Sequence, residues 1–387
     1  MKLFRKIFFW LHLIAGAIAG IVILTMCVTG ALLSFEKNLT EFAERGMRSV
    51  AAPPTENARK LSVQEILDKV RAAKPDAKPS AIALPNESDA AWQLALGRDG
   101  QIFVDPYTGQ ITGESATTLR AFFRTVTDLH RWIALSGDAR PIGKAITGAC
   151  NLAFLFLAIS GIYLWFPRRL SWRHFKAALT VRWKVKGKAR NFNWHTVIGF
   201  WSSLVLIILT LTGTVISYQW ASNLIFTLTG NEVPQQQQQA PSNALLTPGE
   251  QPGVAPENIN AIWARAENQV ENWKSISLKL PVAEDSAVFT LDEGKSWNIF
   301  GRSTLTINAK NTEVTKWEPY AEQNSARQIR SWFRFTHTGE AGGIVGQIIG
   351  FLACLSGAML VWTGISLALR RLAGWRTKRT RTTGNKR

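Results

Sequence analysis

Residues 7–35 read IFFWLHLIAGAIAGIVILTMCVTGALLSF, a stretch without one charged side chain. A helix rises about 1.5 Å per residue, so this run is long enough to cross a hydrocarbon core roughly 30 Å thick. Three further stretches, Ile142 to Phe166, Val197 to Trp220 and Ile344 to Leu369, have the same character, with Lys144 at the edge of the second as their only charge. Four such runs predict a membrane α-helical fold with four transmembrane helices, and they separate two long loops from one short one.

Charge orients the four spans. The formal net charge of +18 would suggest nucleic-acid binding in a soluble protein. Here the basic residues lie beside the spans: Lys2, Arg5 and Lys6; nine Lys and Arg residues from Arg168 to Arg190; and eight from Arg370 to Arg387. No Asp or Glu falls among them, whereas the loops 36–141 and 221–343 interleave both signs. The positive-inside rule places both termini and the middle loop in the cytoplasm and both long loops outside. The first span follows basic residues as a secretory signal would, but it is too long and lacks a small-x-small cleavage site, so it is expected to be retained. Cys27, Cys150 and Cys354 all fall within spans, where they act as small apolar residues and argue against disulfides.

The resulting boundaries are 1–35 for the N-terminus and first span, 36–141 for the first outer domain and 142–166 for the second span. A basic cytoplasmic loop at 167–196 and the third span at 197–220 follow. The second outer domain occupies 221–343, the fourth span 344–369 and the basic cytoplasmic tail 370–387. Each outer domain reads as a small α+β module. In the first, Val63, Ile66, Leu67 and Val70 share a helical face, and strand-like runs follow at 81–84, 91–96 and 101–104. The second gives a helix at 257–271 and strands near 275–280, 286–291 and 303–308. Residues 234–256, rich in Gln, Pro and Gly, read as a linker.

The chain reads as two repeats. His12 precedes Thr29-Gly30 by seventeen residues, and His195 precedes Thr212-Gly213 by the same interval. Ser160-Gly161 of the second span matches Ser356-Gly357 of the fourth, and upstream His130 corresponds to His337. Four of the five histidines thus occupy repeat-related positions at span ends. His12 and His195 lie on the cytoplasmic side, and His130 and His337 on the outer side; the fifth, His174, has no mate and reads as surface.

A histidine near the membrane is costly to keep without a partner, and four divided two and two suit a pair of bis-histidine sites. Neutral imidazole is a favoured axial ligand of haem iron, so His12 with His195, and His130 with His337, are the candidate haem-iron ligands of two haem b groups. No Cys-x-x-Cys-His is present for covalent attachment. Small residues one and two turns on, Gly16 and Gly20 after His12 and Gly199 and Ser203 after His195, offer room for a flat ligand, although they also favour close helix packing. Arg131, Arg334, Arg5 and Arg190 stand near enough in sequence to pair with propionates. Zinc or copper is disfavoured because no Cys, Asp or Glu completes either pair.

These residues resemble the bacterial PepSY-associated transmembrane family, which includes inner-membrane ferric-siderophore reductases. The resemblance rests on Leu11-His12 with Thr29-Gly30, on Val104-Asp105-Pro106-Tyr107-Thr108-Gly109-Gln110, on Leu129-His130, on Trp194-His195 with Thr212-Gly213, and on Thr336-His337-Thr338-Gly339. Asp-Pro-Tyr-Thr-Gly is typical of a PepSY domain; the second loop departs from it with Asn308-Ala309-Lys310-Asn311. The resemblance implies two periplasmic PepSY-like domains, haem as cofactor, a ferric siderophore as acceptor and iron acquisition as the process, in a multi-pass protein of the bacterial inner membrane. The donor is a quinol or a separate cytoplasmic protein, because the chain has no Gly-x-Gly-x-x-Gly following a strand. Two other classes compete. A membrane-anchored binding or inhibitory module leaves the histidines unexplained, and a transporter calls for charged or broken spans. The distance from His12 to Phe35, roughly 35 Å of helix, is long for a single electron hop unless the outer haem sinks into the membrane or Trp201 and Trp362 bridge the gap.

Overall fold

The computed structural model describes residues 2–50, 58–97, 100–166, 172–234, 258–283, 285–294 and 300–384. Its helices, in chain order, are α1 (Lys2–Leu33), α2 (Glu36–Arg48), α3 (Val63–Ala73), α4 (Thr117–Trp132), α5 (Arg140–Trp165), α6 (Trp172–Leu179), α7 (Gly187–Ser217), α8 (Gln219–Leu228), α9 (Ile259–Glu267), α10 (Ser325–His337) and α11 (Gly343–Gly384). The strands are β1 (Ala81–Pro85), β2 (Trp92–Ala95), β3 (Gln101–Val104), β4 (Ile111–Glu114), β5 (Ser275–Lys279), β6 (Ala287–Asp292), β7 (Arg302–Ile307) and β8 (Val314–Glu318). The predicted linker at 234–256 lies, apart from Pro234, outside the described residues, as do Arg168, Arg169 and the side chain of His174.

The chain forms two compact units. The first comprises 1–36, 123–225 and 329–387 and contains four helices long and apolar enough to cross a membrane. Helix α1 packs on α5 and α11, and α7 packs on the same two, which closes a four-sided bundle. Its polarity is that of a membrane bundle: Thr29, Asn151, Ser160, Thr210, Thr212 and Thr363 are buried between the helices, while Ile18, Ile21, Trp201 and Trp362 face outward. Lipid tails are as apolar as leucine, so close packing and interhelical hydrogen bonds, not burial of apolar area, hold such helices together. Asn151 supplies one of these bonds, donating to the carbonyl of Thr210 and to the Thr214 hydroxyl, both at 2.9 Å. Two helices exceed their apolar runs. Helix α7 begins at Gly187, ten residues ahead of Val197, and α11 continues past Leu369 to Gly384. Hydropathy marks only the part suited to hydrocarbon, and the backbone remains helical beyond it.

The second unit comprises 37–122 and 226–328. Both long loops, which read as two modules in the sequence, contribute four strands to one antiparallel sheet in the order β4-β3-β2-β1-β5-β6-β7-β8. The join is the pairing of β1 with β5, from Ala81 opposite Lys279 to Pro85 opposite Ser275. Alternate residues of these strands, Ile82, Leu84, Ile276 and Leu278, are buried in a core shared with Ile66 and Val70 of α3 and Ile262 and Trp263 of α9. Helix α3 starts at a capping box in which the Ser62 side chain accepts from the Glu65 amide and the Glu65 carboxylate from that of Ser62.

The two turns that differ in sequence share one geometry. The Asp105 carboxylate accepts from the amides of Tyr107 and Thr108 at 2.7 and 3.1 Å, and Gly109 follows at φ 72°. Asn308 accepts in the same way from the amides of Lys310 and Asn311 at 2.8 and 3.2 Å, and Thr312 takes the positive φ of 59°. An Asn side chain closes this turn as an Asp does, which is why the departure from Asp-Pro-Tyr-Thr-Gly leaves the backbone unchanged.

Candidate functional site: two histidine pairs

All four candidate histidines lie in the first unit, and the structure pairs them as the sequence predicts. The ring centroids of His12 and His195 are 6.4 Å apart, and those of His130 and His337 are also 6.4 Å apart. Two metal–imidazole bonds of about 2 Å and two ring half-widths of about 1.1 Å put centroids about 6.2 Å apart when one metal ion sits end-on between two imidazoles.

Helix geometry produces the pairs. His12 and His195 lie on α1 and α7 themselves, near the ends that carry the basic flanks. His130 and His337 are last-turn residues of the separate amphipathic helices α4 and α10, which deliver them to α1 and α7.

Each ring is tied at one nitrogen. Nδ1 of His12 lies 2.8 Å from Ser160 Oγ, and that of His195 lies 2.9 Å from Thr363 Oγ1. Nδ1 of His130 lies 2.9 Å from Thr29 Oγ1, and that of His337 lies 3.1 Å from Thr212 Oγ1. The direction of these bonds follows from the hydroxyl's single proton. Thr29, Thr212 and Thr363 each donate to the carbonyl four residues back, at 2.6, 2.8 and 2.7 Å, so toward the ring they accept. Nδ1 therefore carries the hydrogen, and Nε2 keeps the lone pair that a metal needs. At His337 the Leu209 carbonyl, 3.0 Å from Nδ1, requires the same tautomer, because a carbonyl only accepts. The carbonyls of Met26 and Leu360 stand in the corresponding place beside His130 and His195.

His12 is the exception. Ser160 reaches its nearest carbonyl, that of Leu157, only at 3.4 Å, so its proton is less committed. No backbone carbonyl accompanies Ser160 beside the ring among the described residues.

A glycine follows each hydroxyl residue, and the imidazole edge lies on it. A Cβ at Gly161 would stand 3.7 Å from His12 Cε1, at Gly30 3.4 Å from His130, at Gly364 3.3 Å from His195 and at Gly213 3.1 Å from His337. Sequence reasoning found Thr29-Gly30 and Thr212-Gly213 as repeat marks but not as histidine partners. It also matched Ser160-Gly161 with Ser356-Gly357, whereas the histidine contacts make Thr363-Gly364 its equivalent. The available signal was the recurrence of a hydroxyl residue before glycine in every span; which histidine each dipeptide serves depends on contacts between helices.

Other expectations are adjusted. Gly20 faces Val361 and Ile365, and Gly199 faces Leu360, so these small residues serve helix packing. Arg5 donates to the carbonyls of Leu164 and Phe166, which occupies it as a cap on α5. Trp201 and Trp362 are 66% and 70% exposed on the outside of the bundle and cannot bridge its interior. The interior between the pairs is a cluster of Ala19, Ile23 and Cys27 with Phe154 and Leu157. The separation itself is shorter than the spans suggest. His130 meets Thr29, six residues before Phe35, so the two pairs are about 26 Å of helix rise apart along α1.

Among the described residues no group of three or more His, Cys, Asp or Glu is placed to hold a metal ion. A donor set of two neutral imidazoles, with no carboxylate or thiolate, suits a metal whose other ligands come from a macrocycle and not a tetrahedral protein site.

Comparison with known proteins agrees with this architecture. Residues 9–371 match the family model described as the PepSY-associated TM region, and the chain belongs to that family. No curated protein matches it.

Proposed function

We propose that this member of the PepSY-associated transmembrane family is a di-haem reductase of the bacterial inner membrane that delivers electrons to a ferric siderophore outside and so serves iron acquisition. The observation that carries this reading is the pair of 6.4 Å imidazole separations, combined with Nδ1 tethers that leave Nε2 free at His130, His195 and His337. His12 and His195 would hold one haem b, and His130 and His337 a second. A bound haem would supply one-electron Fe(III)/Fe(II) chemistry at each end of the bundle.

The chain's own residues perform the supporting work. Hydroxyl–glycine dipeptides orient the rings and, at His130, His195 and His337, fix the tautomer, as such partners do for metal-bound histidine. The packed interior keeps water out of the path between the pairs. The basic flanks orient both termini toward the cytoplasm, which puts His12 and His195 inside and His130 and His337 outside. The donor is a quinol or a separate cytoplasmic carrier. A quinol releases two electrons and two protons on oxidation, enough to reduce two ferric complexes to Fe(II). Hard oxygen donors hold Fe(III) more tightly than Fe(II), so the reduced iron leaves its chelator.

Purified protein from haem-replete cells should be red, with a Soret band that shifts on dithionite reduction. His12→Ala and His337→Ala should each remove one of two haems. Colourless protein, or variants that keep both haems, would overturn the assignment.

A further inference from the structure

The end of the first unit that holds His130 and His337 concentrates positive charge that membrane orientation does not explain. Residues 123–144 and 329–343 contain Arg124, Arg131, Arg140, Lys144, Arg330 and Arg334 against Asp128, Asp138 and Glu340. In the proposed orientation this end faces outward, where the positive-inside rule favours no surplus of Lys or Arg.

Three of these cations stand on the segments that carry the histidine pair. The guanidinium of Arg131 lies 4.6 Å from the Trp132 ring centre and that of Arg140 lies 3.4 Å from it, so one indole carries two cations. Arg334 comes to the same end on α10, because the His130 and His337 rings are 6.4 Å apart, and its guanidinium lies 5.6 Å from the Phe335 ring centre. Arg131, Arg140 and Arg334 are exposed and form no salt bridge among the described residues. Arg131 adjoins His130 in the chain, and Arg334 lies one helical turn before His337.

The corner between α4 and α5 is also held under strain. Ile133 and Ala134 reverse the chain between α4 and α5 at φ 54° and 58°, which is costly for a β-branched residue. The segment is pinned where the Thr147 hydroxyl donates to the Arg131 carbonyl at 2.8 Å. Gly143 presses on the Trp132 carbonyl, with no room for a Cβ. Backbone strain retained under such constraint tends to mark functional sites. Guanidiniums in surplus over the neighbouring carboxylates suit a multiply charged oxyanion, which each can meet with paired N–H donors.

We propose that Arg131, Arg140 and Arg334 form a docking seat for an anionic ferric chelate, one presenting free carboxylate or catecholate oxygens, and that cationic chelates are disfavoured there. This deepens the reductase reading above, but its binding step requires no haem. The test uses the full chain in nanodiscs of zwitterionic lipid and a redox-inert metal. Equilibrium dialysis would compare gallium(III) citrate, which is anionic, with gallium(III) desferrioxamine B, which is cationic.

The wild-type chain should bind the citrate complex at least roughly tenfold more tightly, and less tightly as salt rises. Arg131→Gln with Arg140→Gln and Arg334→Gln should lose roughly tenfold or more of that affinity, whereas the triple Lys variant should retain part of it. The salt dependence of the wild type keeps the proposal testable if the Gln variant fails to fold. Equal binding of the two complexes, citrate binding insensitive to salt, or full affinity in a folded Gln variant would overturn it. So would citrate binding abolished by adding anionic lipid, because the seat would then belong to a headgroup. Red protein with no charge preference would refute the seat and leave the reductase standing; colourless protein that still prefers citrate would do the reverse.

Discussion

Ser160→Ala is the most informative single substitution, because His12 alone depends on one hydroxyl. The Ser160 hydroxyl, 2.8 Å away, is the partner of its Nδ1. Removing it leaves a partly buried ring nitrogen without a partner, which costs about 1–3 kcal/mol. Loss of an outer-shell partner lowers metal affinity about 10–100-fold. Thr212→Val is the matched control. It deletes a hydroxyl 3.1 Å from His337, but the Leu209 carbonyl at 3.0 Å still accepts the same hydrogen, so the expected loss is less than about threefold. The comparison is cleanest in chains holding one haem: Ser160→Ala on a His337→Ala background and Thr212→Val on a His12→Ala background. Haem transfer to excess apomyoglobin, followed by the Soret band, reports each affinity. Equal losses in the two chains, or none with Ser160→Ala, would refute the tautomer argument.

Gly213→Ala places a methyl 3.1 Å from His337 Cε1 and 3.2 Å from Asn151 Oδ1; it should weaken the outer site, whereas Gly16→Ala, with 3.7 Å to Leu157, should leave haem content unchanged. Trp201→Leu and Trp362→Leu should not alter the rate of electron transfer between the two sites, measured by flash photolysis, because both rings lie outside the bundle; a slowed rate would contradict that placement. Glu44 is fully buried and bridges Arg48 at 2.8 Å and Arg120 at 2.6 Å. Glu44→Ala should cost about 3 kcal/mol, read as a lower thermal midpoint, and an unchanged midpoint would show that the bridge is not stabilising.

The number of spans, their approximate limits and the grouping of four histidines two and two were all legible in the chain. Apolarity and charge asymmetry act along the sequence and require no knowledge of neighbours. Pairing was legible too, because two histidines at one end of a bundle have only each other. What could not be read was depth. The sequence placed His130 and His337 beyond their apolar runs, and only the docking of α4 and α10 against α1 and α7 brings them to the level of Thr29 and Thr212. Strand runs were recognised, but the bond between β1 and β5 was not, since backbone pairing between distant segments leaves no mark in either one.

The sequence by itself therefore determined a four-span helical protein with two histidines at each end of the bundle, because apolar run length and position along the chain are local properties. Tertiary structure alone decided which hydroxyl each imidazole meets, which nitrogen stays free and how far apart the pairs lie. Those depend on the rotation and depth of one helix against another, a shift of a few ångströms that no single segment encodes.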